Sequence, residues 1–241
     1  MSTLRNICVF ILILSSSLYA GDRIKLYSYY TPSHRVLKEK YFEPSIKDDY
    51  EVIIRKIDEQ VCKEGYYKAK NWELAVAQKA LLIIDAIKEN WGSYFIYSDI
   101  DIQFLRPTKD YITKHFKDLD LLAQKASASV NSKSRSLCSG FMVIKAHQEN
   151  LDLWKDIYNH LVTPGNKNGD QFHLNRLIKK HKLTYDVLPS SFYNPGRMWR
   201  PGKKLTIPDD IMLHHANWCF KMNWKCEQLD YIQSLFKQQS Q

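Results

Sequence analysis

Asp99 and Asp101 stand one residue apart at the end of an apolar, strand-forming run that begins at Phe95. Burying an unpaired carboxylate is very costly. Either the chain bends out to water there, or something positive lies between the two acids. On an extended segment residues i and i+2 point to the same side, where two carboxylates repel unless they share a cation. Hard divalent ions such as Mn²⁺ or Mg²⁺ suit oxygen ligands and are often held by one or two carboxylates, with phosphate oxygens completing the shell. A nucleotide diphosphate would supply those oxygens. An Asp-x-Asp spacing has a high chance frequency on its own. The chain holds a second, Asp118 and Asp120, at a later strand start, read here as coincidence. The first pair differs because it sits where a strand finishes, and ligands of open α/β sheets bind outside the carboxyl ends of strands.

The elements that position these acids follow from hydrophobic periodicity. Residues 24–30 and 50–57 read as strands, with a short helix over 33–42 between them. Trp72, Ala75, Ala80, Leu81, Ile84 and Ile87 recur near helical spacing, which predicts a helix over 71–90 closed by Gly92. A strand over 93–98 then delivers the two acids. Further strands are expected at 119–123, 138–146 and 185–188, and helices at 110–115, 147–161, 169–181 and 227–237. The small polar residues of 127–136 read as a mobile surface loop. Residues 189–210 hold four of the chain's eight prolines and read as a long loop. Strands alternating with helices predict an α/β class with a largely parallel sheet. No composition shift marks a second domain.

The first 20 of the 241 residues resemble an export signal. Arg5 supplies the positive start, Ile7 to Leu14 an apolar run, and Ser15 to Ala20 a small-residue exit. The apolar run is well short of the roughly 20 residues that span a bilayer; the alternative is an uncleaved short membrane anchor, the one case in which a membrane partner is expected. The remainder suits one domain with a full core. Export points to a secretory-pathway lumen such as the ER or Golgi, or to a periplasmic or extracellular compartment. The net charge is +9, with basic clusters at 179–182 and at Arg197, Arg200, Lys203 and Lys204. Such a surface suits an anionic partner, but export and the absence of any nucleic-acid motif argue against nucleic acid. Cys62, Cys138, Cys219 and Cys226 follow the leader, an even number that permits two disulfides. Cys219 and Cys226 are the nearest pair. No Cys-x-x-Cys occurs, so zinc is not indicated.

Tyr97-Ser98-Asp99-Ile100-Asp101, followed by Phe104-Leu105-Arg106-Pro107, resembles the D-x-D strand of nucleotide-diphospho-sugar glycosyltransferases of the GT-A fold. Other segments agree in order: the helix carrying Lys79; Ser139-Gly140-Phe141-Met142, similar to an N-S-G-F strand with Cys138 in place of Asn; Gly169-Asp170-Gln171; Leu188-Pro189 through Tyr193; and His215-Ala216-Asn217-Trp218. The resemblance spans residues 24–221. It implies a single Rossmann-like GT-A domain with a mostly parallel sheet flanked by helices. The activity implied is metal-dependent transfer of a sugar from a nucleotide-diphosphate donor, UDP being the commonest, to a hydroxyl on a glycan, protein or lipid. It assigns Asp99, Asp101 and His215 to a Mn²⁺ or Mg²⁺ ion. His214 is the rival ligand, since on a strand only one of two adjacent histidines can face the site. Donor binding falls to Tyr30, Thr31, Lys79, Ser139, Gly140, Gln171 and Lys221. Asp170 is the candidate catalytic carboxylate, the base an inverting transfer would need near the acceptor hydroxyl, although an acid opening a helix is stabilised there in any case.

Two other readings compete. A haloacid-dehalogenase-like phosphatase also places Asp-x-Asp after an apolar strand, but it wants Thr or Val after the second acid, where this chain has Ile102, and it opens its domain with the motif. An exported carbohydrate-binding protein could keep the fold without catalysis; retention of Asp99, Asp101 and a late histidine argues against that.

Overall fold

The structure is a computed structural model that describes residues 23–60, 62, 69–126, 135–196 and 198–239. The leader, residues 127–134 of the polar loop, and Arg197 lie outside the described residues. Along the chain run β1 (Lys25–Tyr30), β2 (Glu51–Lys56), α1 (Trp72–Glu89), β3 (Tyr94–Ser98), β4 (Ile102–Phe104), α2 (Lys109–His115) and β5 (Leu121–Lys125). They are followed by β6 (Leu137–Lys145), α3 (Gln148–Val162), α4 (Asp170–Leu177), β7 (Tyr185–Val187), β8 (Phe192–Tyr193), β9 (Leu213–His215) and α5 (Met222–Gln239).

Six strands form the main sheet in the order β2-β1-β3-β6-β5-β7. The β1–β2, β1–β3 and β5–β7 pairs are parallel, and β6 alone runs against its neighbours β3 and β5. Both faces are covered, so the central strands are apolar on both sides. Phe95, Tyr97, Leu121, Ala123, Met142 and Ile144 pack with α1, α3 and α4 through Ala80, Ile83, Trp154, Ile157 and Leu174. Their neighbours in sequence, Ile96, Leu122, Phe141 and Val143, pack on the other side with Leu37, Phe42, Ile112 and Leu229. Each such side chain contributes about 1.5–3 kcal/mol on burial.

Helix α1 ends where the sequence predicts, with Gly92 in the left-handed region at φ +82°. Elsewhere the structure differs. Residues 33–42 are helical as expected but not as one α-helix; a 3₁₀ helix over Pro32–His34 leads into a π-helix over Leu37–Phe42 that buries Leu37, Tyr41 and Phe42. Helix α4 stops at Leu177, and α5 begins at Met222, five residues before its expected start. A second sheet, β4-β9-β8, was not anticipated; strands of two or three residues are too short to show a period. Part of the proline-rich segment is core, since Tyr193, Trp199, Leu205, Ile207 and Ile211 pack with Cys219 and Ile232. This also corrects the disulfide expectation. All four cysteines are free thiols, and Cys219 belongs to that cluster while Cys226 packs against the one holding Leu37 and Leu229. Among the described residues no helix is long and apolar enough to cross a membrane.

Candidate active site

Strand β3 ends at Ser98, and Asp99–Asp101 then turn rather than stay extended, passing the chain into β4. The Asp99 N–H donates to the Gly140 carbonyl at 2.6 Å, and the Ala216 N–H donates to the Asp101 carbonyl at 2.9 Å. Ile100 between them is buried in the apolar core. The turn is thus plugged from below and tied on two sides, which leaves both carboxylates facing one space. Both solutions to the charge problem are used: the chain bends, and cations meet the acids.

The first cation is Lys79, on α1. It is 4% exposed, and its Nζ lies 3.1 Å from Asp99 and 2.8 Å from Asp170. Its Nζ also donates to Ser139 Oγ at 3.3 Å and stands 4.9 Å from the centre of the Tyr97 ring. Burial works against the ammonium charge, but Asp170 and Asp99 raise its pKa well above the usual lysine value. The second cation is Lys225, near the start of α5. It pairs with Asp101 and donates to the Ala216 carbonyl at 3.0 Å. Burial raises the Asp99 carboxyl, with Lys79 opposing and Asp101 adding to the rise. Burial would raise Asp101 as well, but Lys225 and His215 hold it well below the usual carboxylate range.

Strand β9 brings the histidines, and its alternation separates them. His215 Nε2 lies 3.3 Å from Asp101 and 3.7 Å from Asp99. Its Nδ1 faces Gln124 Oε1 at 3.0 Å and Cys138 Sγ at 3.6 Å. Burial alone would lower this imidazole; Asp101 and Cys138 carry it up to about 10. His214 points away, against the Tyr193 ring, and burial pushes it down to about 3, which keeps it neutral. Ligand atoms of Asp99, Asp101 and His215 all lie within 4.8 Å of one another. Two carboxylates and one imidazole suit Mn²⁺ or Mg²⁺ better than a thiol-preferring metal.

These groups line a cavity of about 750 Å³. Tyr30, Thr31, Lys79, Ser139, Gly140, Asp170 and Gln171 all line it too, so the fold gathers these predicted residues into one cleft. Thr31 Oγ1 lies 3.0 Å from His34 Nδ1 at the end of β1. Asp170 is the first residue of α4, with Gly169 rather than Asp170 as the N-cap; a Cβ at 169 would meet the Trp72 ring at 2.3 Å. Ser139 and Gly140 lie in a β6 bulge, and close approach is real there: a Cβ at 140 would fall 2.1 Å from His215 Cε1. Lys221 is the exception. It is exposed over the Trp224 ring and does not line the cavity; Lys225, one helical turn on, reaches the acids instead. Lys225, Gln124 and Cys138 were not singled out for roles by sequence. The Lys221 expectation fell one residue before α5, four residues short of Lys225.

The family model for nucleotide-diphospho-sugar transferases matches residues 32–229, which takes in Lys79, Asp99, Asp101, Asp170, His215 and Lys225. Comparison with curated proteins finds no match. Among solved structures the fold is similar to that of a glycosyltransferase involved in the glycosylation of the major capsid of PBCV-1. The TM-score is 0.58 at 11% identity, covering 88% of this chain and 100% of that one. It is also similar to the glycosyltransferase GlyE of Streptococcus pneumoniae TIGR4, with a TM-score of 0.51 at 13% identity over 72% of this chain and 47% of that one. The structural likeness speaks for the fold and the family match for lineage: this chain belongs to the nucleotide-diphospho-sugar transferase family, with the GT-A glycosyltransferase fold.

Proposed function

We propose that the protein is a divalent-metal-dependent glycosyltransferase that moves a sugar from a UDP-linked donor to a hydroxyl acceptor on a glycan, protein or lipid. The observation that carries this reading is the convergence of Asp99, Asp101 and His215 within 4.8 Å, backed by two buried lysines, inside a cavity of about 750 Å³. Those three residues would hold Mn²⁺ or Mg²⁺, which when bound supplies Lewis-acid stabilisation of the leaving diphosphate. Lys225 adds a fixed positive charge beside Asp101, where preorganised charge is most effective. Tyr30 and Thr31, at the end of β1, take the nucleoside end of the donor. Ser139, Gly140, Gln171 and Lys79 line the position of its sugar. Asp170 is the one acid of the described cleft lining besides Asp99 and Asp101. Held by Lys79, it receives a hydroxyl of acceptor or donor. The family match favours this transfer over the phosphatase alternative. The apolar leader supports placing the activity in a secretory lumen or the periplasm, which the position of a tagged chain in fractionated cells would test.

The test is metal-dependent release of nucleoside diphosphate across a panel of nucleotide-sugars. Wild type is expected to release UDP with Mn²⁺ and not with chelator, and Asp101→Ala to release none. Wild type and variant equally inert across the whole panel would favour the non-catalytic carbohydrate-binding reading. A thermal-shift screen of the same donors with and without Mn²⁺ identifies the sugar, because a ligand that binds only the folded state raises apparent stability.

A further inference from the structure

We infer that Gln124 is a positioning residue that fixes the tautomer and orientation of His215 for metal binding. This rests on the metal-site reading above. Gln124 is 0% exposed, and a buried amide is tolerated only when its hydrogen bonds are made. Its Nε2 donates to the Phe192 carbonyl at 3.0 Å and to the Tyr193 carbonyl at 3.1 Å. Carbonyls only accept, so the two β8 groups require the NH₂ end of the amide to face them. The amide oxygen must then face the other way, toward His215 Nδ1 at 3.0 Å. An amide oxygen also only accepts. His215 Nδ1 must therefore carry a hydrogen, which leaves Nε2 as the ligating nitrogen, directed at Asp99 and Asp101. Cys138 Sγ lies 3.6 Å from the same Nδ1, but a thiol is the weaker acceptor.

The backbone is built to allow this. Continuing the register of β5 with β6 past Ala123–Met142 would pair Gln124 with Phe141; the shift pairs it with Cys138 instead. The extra β6 residues bring Gly140 against the imidazole, where a side chain would collide with it. The ring is held by a hydrogen bond at Nδ1 and by the missing Cβ at Gly140. Partners of this kind around a metal-bound histidine are worth about 10- to 100-fold in metal affinity.

The test is Gln124→Met, which keeps the length and removes the amide. Mn²⁺ binding is read from the loss of the free-ion electron paramagnetic resonance signal. The variant is expected to bind Mn²⁺ about 10- to 100-fold more weakly, with turnover recovering as Mn²⁺ is raised. A packing role alone would lower the melting temperature and leave Mn²⁺ affinity within about twofold of wild type, and that result overturns the inference. Should Gln124→Met not fold, ¹⁵N chemical shifts of His215 in the wild type with saturating Mg²⁺ decide the matter. A protonated Nδ1 beside a bare, metal-bound Nε2 supports the assignment, and a bare Nδ1 refutes it. Wild type that binds no Mn²⁺ at all overturns the metal-site reading itself.

Discussion

Asp99-Ile100-Asp101 and Asp118-Leu119-Asp120 share a spacing and little else. In the first, the residue between the acids is a core plug, and both carboxylates turn into one cleft toward His215, Lys79 and Lys225. In the second, Asp118 is exposed while Asp120 does structural work. Asp120 accepts from the Thr184 N–H and Oγ1, each at 2.8 Å, and lies 3.0 Å from His147 Nε2. Asp120 sits at the start of β5, and Asp99 at the end of β3. The spacing therefore carries no chemistry by itself. What distinguishes the pairs is the end of the strand they occupy and the oppositely charged groups that the fold brings over them.

The largest effect should come from exchanging function between the two pairs. Asp101→Asn is expected to lower kcat/KM by about 10³-fold, the upper end for losing one stabiliser of reacting charge. Asp120→Asn should leave it unchanged. Initial rates of UDP release for the two variants check this. Comparable losses in both would erase the distinction.

Next comes the stability that the first pair commits. Lys225→Met leaves Asp101 buried beside one cation fewer, and breaking a buried pair costs about 3–5 kcal/mol. Replacing both partners, in Asp101→Asn with Lys225→Met, should restore much of that loss while kcat/KM stays at least about 10³-fold below wild type. Denaturant unfolding of the two single variants and the double variant gives the coupling directly. Additive losses would mean that the pair is not the unit described here.

This pairing also marks where sequence reasoning stops. Asp99, Asp101, Asp170, Lys79, Ser139, Gly140 and His215 were legible because they fall in segments that resemble those of one family in order, and the cleft gathers them. The sheet and its helices were legible because their periods run over many residues. Lys225 was not, because it lies 124 residues from Asp101 and meets it only when the start of α5 is brought beside the turn that follows β3. Gln124 falls one residue past the strand expected at 119–123; its role depends on a register shift that leaves no mark on β5 alone. The π form of the helix over Leu37–Phe42 left no sequence signal, and the small sheet β4-β9-β8 is built from strands too short to announce themselves.

The smallest effects belong to the second pair, and they sharpen the comparison from its quiet side. Asp118→Asn should change stability by no more than about 0.5 kcal/mol, as for an exposed side chain with no special feature. Asp120→Asn should cost on the order of 2 kcal/mol, the worth of a charged hydrogen-bond acceptor. The pH dependence separates the two further. Burial raises the Asp120 carboxyl, but the Thr184 hydrogen bonds and His147 outweigh it and hold the group below its ordinary value of 3.8. A depressed folded value means that the unfolded chain takes up the proton first. The stabilisation from Asp120 is thus full above the unfolded value, about 4, and drains away as pH falls through the folded one. Melting temperatures measured from pH 7 down to about pH 3 should therefore fall less steeply for Asp120→Asn than for wild type, and the two curves should converge at the acid end. Asp118→Asn should track wild type throughout. Parallel curves for wild type and Asp120→Asn would mean that Asp120 is as idle as its neighbour, and that the second pair lacks the structural role assigned to it.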